Sequence, residues 1–209
     1  MHDRERLMRD IEAFQPFNEQ EFADQKLILH ALATDPACFE RTAQAHMACS
    51  IWTVDPSFER TLLVYHNIYD SWSWIGGHAD GVCDLAAVAL RELEEETGVT
   101  GRLVVPTPES PVFSLEALTV DGHEKRGRYV SSHVHLNVTY LAVADPDQAV
   151  RVKPDENSGV RWAPLRDAVA LSTEPWIRER IYGKLIAKTE ALRPAKAAEA
   201  AEIAGAAGR

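Results

Sequence analysis

Cysteine is scarce in this chain. Three residues in 209, Cys38, Cys49 and Cys83, make an odd count with no regular spacing. That excludes a disulfide framework and fits reduced thiols in a cytoplasm. Basic charge is also short: 22 Lys and Arg stand against 32 Asp and Glu, a net charge of −10. A nucleic-acid polymer would want a basic face, so that class of partner is set aside. An anionic small molecule is not, because a bound cation reverses the local field. Long apolar runs are missing as well, and no stretch reaches the length of a membrane span. The start, Met1-His2-Asp3-Arg4-Glu5-Arg6, is charged and leads into no apolar signal segment. With 45% apolar and 26% charged residues, the expectation is an ordinary soluble globular protein.

What the chain does have is an acidic run, Arg91-Glu92-Leu93-Glu94-Glu95-Glu96-Thr97-Gly98-Val99. Glu92, Glu95 and Glu96 are spaced i, i+3, i+4, which at about 100° per residue puts all three on one helix face. Like charges so close repel unless something positive sits between them. A hard divalent cation with oxygen ligands, Mg²⁺ or Mn²⁺, meets that need. The plain alternative is a solvated acidic face. The flanks favour the former. Asp84 is placed to cap the helix at its start, and Gly98 to end it where φ > 0 is wanted. Ala86, Ala89, Leu90, Leu93 and Thr97 form a packing stripe beside the glutamates. Upstream stands Gly76-Gly77 after the strand-like Trp72-Ser73-Trp74-Ile75.

Gly77, five residues, Cys83, seven residues, then Arg91 to Val99: these 23 positions resemble the Nudix box of the Nudix hydrolase superfamily. The resemblance implies an α/β fold, a Nudix-like α/β/α sandwich with a mixed β-sheet, and Mg²⁺-dependent cleavage of a diphosphate linkage in a nucleoside diphosphate–X substrate. It also implies roles. Glu95 and Glu96 would hold metal, Glu92 would be ligand or base, the Gly77 carbonyl would join the shell, and Arg91 would orient a glutamate. One further acidic group is expected from a later loop, with Glu156 as the candidate ahead of Asp155 and Glu124. A homodimer is plausible on the same ground. The departure is Cys83, where the family has its first glutamate. Asp84 or Asp80 would then supply the missing charge, unless Asp84 is only the cap. Glu94 points away from the others. Two rival readings remain: a nucleotide-binding module of the same fold that does not hydrolyse, and an isoprenoid-diphosphate isomerase, which needs a reactive cysteine facing a glutamate.

The rest of the chain predicts three parts. Residues 1–42 read as a helical extension, with helices over 3–13 and 19–34; Asn18 caps the second, and Phe22, Ile28, Leu29 and Leu32 form its apolar stripe. Residues 43–190 read as the Nudix domain. Strands are expected at 46–54, 61–66, 72–75, 102–105, 112–120, 129–143 and 160–162. Ser172 or Thr173 is set to cap a last helix running to about Thr189, with Pro175 in its first turn. Residues 191–209 form an Ala-rich tail, frayed or disordered, with no function assigned. On the 129–143 strand, His133, His135, Asn137 and Thr139 share one face. Two histidines there can bind a transition metal, but no third histidine or cysteine stands at a clear spacing. His133, His135 and Asn137 are therefore read as a polar wall of the substrate pocket, with a solvent-facing strand side as the alternative; the loop residue His78 is read as one that approaches a phosphate, or as a loop histidine with no role. Trp72 and Trp74 are candidates for stacking on a base, or for the core.

Overall fold

A computed structural model describes residues 2–125 and 127–193. Two helices come first: α1 (His2–Ala13) and α2 (Glu19–Thr34). Asn18 caps α2 as its spacing predicts, its side chain accepting from the Glu21 N–H. The other end of α2 is closed by α1. The Arg4 guanidinium donates to the carbonyls of Leu32 and Asp35, groups left without partners where a helix stops.

An eight-stranded mixed sheet follows. Its spine is β1 (Ala45–Val54), which pairs in parallel with β9 (His133–Val143) over ten residues, from Ala45↔Val134 to Val54↔Val143. Around them lie β2 (Arg60–His66), β3 (Ser71–Ser73), β4 (Ile75–His78), β5 (Arg102–Val104), β6 (Ser114–Val120) and β10 (Asn157–Pro164), all paired antiparallel. The hairpin of β7 (His123–Lys125) and β8 (Arg128–Val130) stands off the sheet.

Both sheet faces are covered. One carries Met47, Cys49, Ile51, Leu136, Val138 and Tyr140, packed with Leu7 and Ile11 of α1, Ile28 and Leu32 of α2, and Leu93 of α3 (Leu85–Thr97). The other carries Trp52, Leu63 and Leu141, packed with Ile181, Tyr182 and Leu185. Those three belong to a helix over 175–193, here α5, which follows the short α4 (Ala168–Leu171). Its stretch Ile177–Tyr182 is wound as a π-helix. The result is the α/β/α sandwich with a mixed sheet and an added pair of N-terminal helices. The open edge of β6 meets α2, where Asp24 accepts from the Ala117 N–H and Gln20 donates to the Leu115 carbonyl.

Four expectations change. The 72–75 strand is two: β3 pairs with β2, β4 with β1, and Trp74 turns the chain between them, its N–H donating to the Tyr182 hydroxyl (3.0 Å). The 129–143 strand breaks at Ser131-Ser132, because residues 128–130 turn back on β7 instead. Phe22 is no part of the α2 stripe; it is more than half exposed, under the Lys26 ammonium. The last helix begins at 175 and runs past 189 to 193, with Ser172 bonding to the Glu174 N–H just before it. The tail reading falls outside the described residues from 194 onward.

Candidate active site

α3 is held at both ends as its sequence suggests. Asp84 accepts from the Ala87 N–H (3.2 Å), and Gly98 closes the helix at φ 75°, its N–H donating to the Glu94 carbonyl. The buried residues Leu85, Val88, Ala89, Leu93 and Thr97 fix its rotation, so Glu92, Glu95 and Glu96 face β4 and the loop before β10. That loop is tied to α3 by backbone. Asn157, fully buried, donates to the Glu96 carbonyl (3.0 Å), and the Arg151 N–H donates to the Thr97 carbonyl (2.8 Å). Free carbonyls at a helix end are thus used to dock a loop, and the loop delivers Glu156.

Carboxylate oxygens of Glu92, Glu96 and Glu156 lie within 4.8 Å of one another. Glu95 stands outside this set, half exposed, ion-paired to Arg91 (3.7 Å) and Lys153 (3.4 Å). Lys153 also reaches Glu156 (3.0 Å), and Arg91 approaches Glu92 (3.4 Å). Glu94 is exposed and contributes its carbonyl to Gly98 and Arg151. Gly77 lies against Glu92: a Cβ added there would sit 2.6 Å from the Glu92 carboxyl carbon. Only glycine permits that approach. The Gly76 N–H donates to Glu96 (3.3 Å).

The carboxylates are short of positive charge. Burial first, then Glu156 and Glu92, push Glu96 up to about 8. Burial first, then Glu95, raises Glu92. A buried acid with acidic neighbours holds its proton until a cation compensates it. Nearby, Arg41 grips Asp80 through two bonds, Nε to Oδ1 at 2.5 Å and Nη2 to Oδ2 at 2.6 Å, and holds it below the usual carboxylate range.

The other box positions are placed as follows. Cys83 turns away from this groove toward α1, half-buried beside Leu7, Leu85 and Tyr140. Asp84 caps α3 and pairs with Arg6 of α1 (3.0 Å). Asp155 lines the groove, whereas Glu124 lies on the β7–β8 hairpin. Cys49 sits beneath Gly77 with 1% exposure, and burial, with Glu92 next, pushes its thiol up to about 12.

Beside the groove runs a cavity lined by Tyr69, Trp74, Gly77, His78, Asn137 and Tyr182 among others. Trp74 packs edge-on against Tyr182, and Trp72 sits under Arg161 and against Tyr65. His66 stacks on Tyr69 with ring centres 4.3 Å apart. His78 lines both groove and cavity, and its Nε2 lies 3.1 Å from that of His135, itself 3.1 Å from that of His133. Burial and the neighbouring imidazoles push His135 down to about 2. Asn137 reaches the cavity floor with its polar atoms engaged: it donates to Glu116 (2.8 Å) and Thr139 (3.1 Å) and accepts from Ser50 (3.0 Å).

That bonding continues into a sealed network. Glu116 receives Lys184 (3.0 Å), and Lys184 and Lys188 of α5 both reach Glu21 of α2, at 3.2 and 2.9 Å. Ser114 and the Phe17 N–H donate to Glu21 as well, at 2.7 Å each. Burial alone would raise the Glu21 carboxyl, but Lys184 and Lys188 outweigh it and hold it below the usual range.

Sequence reasoning missed Arg41, Lys153, His66, Tyr69 and the docking role of Asn157. For Lys153 and Asn157 the sole local signal is the turn-like stretch Lys153-Pro154-Asp155-Glu156-Asn157; Arg41, His66 and Tyr69 have none.

Three carboxylates converging beside a glycine, on this fold, make the groove a candidate site for diphosphate chemistry. Residues 45–184 match the family model described as the NUDIX domain, and the chain belongs to the NUDIX family. It is a hydrolase of the Nudix type, acting on pyrophosphate bonds. The fold is shared with a NUDIX-family hydrolase from Clostridium perfringens: TM-score 0.52 and 17% identity, over 70% of this chain and 97% of that one. An Ap4A hydrolase from C. elegans, in a binary complex, aligns with TM-score 0.47 and 21% identity over 70% of this chain and 96% of that one. No curated protein matches the chain. Among the described residues no helix is long and apolar enough to cross a membrane.

Proposed function

We propose that the chain hydrolyses a diphosphate linkage in a nucleoside diphosphate–X substrate and depends on Mg²⁺ or Mn²⁺. The observation that carries this is the convergence of Glu92, Glu96 and Glu156 against Gly77. Three hard oxygen donors crowded together, with Glu96 pushed up to about 8, fit a small divalent cation. Glu92, Glu96 and Glu156 would hold it, with the Gly77 carbonyl and, from the rim, Glu95. When bound, such an ion neutralises diphosphate oxygens and lowers the pKa of an attacking water.

The protein's own groups do the rest. Glu92, touching Arg91 and set between α3 and Gly77, is placed to take the water's proton, with Glu95 at the rim as the second candidate. Arg91 orients both carboxylates by charge-assisted bonds. Arg41 and Lys153 bring positive charge to the groove where an anionic substrate would enter. The cavity beside it, with Tyr69, Trp74 and His78 in its walls, receives X or the base. We also propose a cytoplasmic setting, in keeping with three free thiols, and a homodimer.

The test is a screen of nucleoside triphosphates, sugar nucleotides, dinucleoside polyphosphates and coenzyme A derivatives with Mg²⁺ and Mn²⁺, reading released phosphate or pyrophosphate. Turnover that needs the ion and is lost in Glu96→Gln supports the reading. Tight nucleotide binding without product would favour the non-hydrolytic module. The isomerase finds little support, because Cys49 is held as a protonated thiol and Cys83 faces α1.

A further inference from the structure

Four histidines from three strands meet on one face at one end of the sheet. The parallel register sets His46 of β1 beside His135 of β9, His133 lies two residues before His135, and His78 of β4 lies across from Ala48, two residues beyond His46. One ring nitrogen from each lies within 4.8 Å of those of the other three.

Hydrogen bonds fix which nitrogens face inward. His46 Nδ1 donates to the Ala43 carbonyl (2.9 Å) and His133 Nδ1 to the Ser131 carbonyl (2.8 Å). In the neutral rings this leaves a bare lone pair on each Nε2. His46 is only 3% exposed and its Nε2 has no hydrogen-bond partner. The Nε2 atoms of His78 and His133 both stand 3.1 Å from the Nε2 of His135. One ring nitrogen carries one hydrogen or one lone pair in its plane. Whatever tautomer His135 adopts, it cannot both accept from His78 and donate to His133. Either two lone pairs face each other, or one N–H is shared between two acceptors, or the buried cluster takes on charge, and each costs free energy.

We propose that His46, His78, His133 and His135 bind a divalent transition-metal ion of the zinc class, at a site separate from the carboxylate groove. Imidazole nitrogen suits Zn²⁺, Cu²⁺ and Ni²⁺, whereas Mg²⁺ takes oxygen. Tetrahedral Zn–N bonds of about 2.0–2.1 Å set ligand nitrogens about 3.3 Å apart, close to the two 3.1 Å contacts already present. Backbone carbonyls on the far nitrogens of His46 and His133 are the usual support for a metal-bound histidine. Four protein ligands, all on strands, make a closed site, one that ties β4, β1 and β9 together. Neutral ligands leave the ion's charge uncancelled, in a wall shared with the cavity through His78 and His135.

The experiment uses the full chain made without a polyhistidine tag, stripped with chelator and titrated with Co²⁺. With Mg²⁺ in excess to occupy the carboxylate groove, one Co²⁺ per chain is expected, with visible bands of tetrahedral intensity, displaced by one Zn²⁺. His133→Ala and His46→Gln should each weaken Co²⁺ binding tenfold or more, while Glu92→Gln and Glu96→Gln leave the bands intact. Absence of the bands in the wild-type chain overturns the proposal, so the outcome does not depend on any variant folding. Bands that survive His133→Ala, or vanish in Glu96→Gln, overturn it equally. Because no turnover is read, failure here leaves the hydrolase reading untouched.

Discussion

Two clusters in this molecule are built from the same materials, glutamates and lysines, and they behave in opposite ways. In the groove Glu92, Glu96 and Glu156 share mainly Lys153 and Arg91, and the Glu92 and Glu96 carboxyls are raised. In the interior Glu21 and Glu116 meet Lys184 and Lys188 with hydroxyl and amide donors on the remaining oxygens, and Glu21 is lowered. Burial disfavours charge in both; what differs is compensation. A complete set of partners makes a buried ionic network part of the structure. An incomplete set leaves room for a ligand of the missing sign, at a cost in stability.

The contrast is best broken by matched substitutions. Glu96→Gln should lower turnover roughly 10²–10⁴-fold while leaving the melting temperature unchanged or higher, because a repelled acid has been removed; a large fall in melting temperature would erase the distinction. Gly77→Ala should also cost turnover, on the order of 10²-fold, since its Cβ displaces the Glu92 carboxylate from 2.6 Å away and small misplacements are that costly. Circular dichroism should show the fold kept. In the interior the sign reverses: Glu21→Gln leaves Lys184 and Lys188 under-compensated and should destabilise by about 3–5 kcal/mol, read by urea unfolding, with turnover of the folded fraction retained.

Acid should find the same group. Glu21 is lowered in the folded state, so its contribution is complete above about pH 4.5, the ordinary glutamate value, and is lost as pH falls through its folded value. The wild type should therefore lose stability below pH 4.5 by up to about 1.4 kcal/mol per pH unit more than Glu21→Gln. An equal slope in the two would remove Glu21 from the account. The smallest effect expected is at the helix start: Asp84→Ala, which removes a cap and the exposed pair to Arg6, should cost about 1 kcal/mol with the metal dependence unchanged.

How legible each cluster is follows from how it is assembled. Glu92, Glu95, Glu96, Asp84 and Gly98 lie on one helix or at its ends, where 3.6 residues per turn converts spacing into geometry. The sandwich follows from strands flanking that helix. Glu156 was legible only as an acidic loop residue, because its place depends on Asn157 and Arg151 reaching the end of α3. The interior network joins residues from α2, β6, β9 and α5, and no local pattern announces it. The four histidines are the same case: His133 and His135 show as a pair, but His46 and His78 join them through strand register, which the sequence does not print. The β7–β8 hairpin was hidden because residues 129–143 keep a strand-like composition through the break at Ser131-Ser132.

The ten-residue pairing of β1 with β9 has a consequence in time. Its partners stand 89 residues apart in the chain, Ala45 against Val134 being the first. That pairing cannot form until the intervening loop has closed, and loop closure of this span is paid in entropy before any ladder bond returns it. α3 and its caps form from neighbours and can appear early. The spine of the sheet must come late. A nascent chain released before residue 143 would carry the acidic run and Gly77 but not the loop that delivers Glu156.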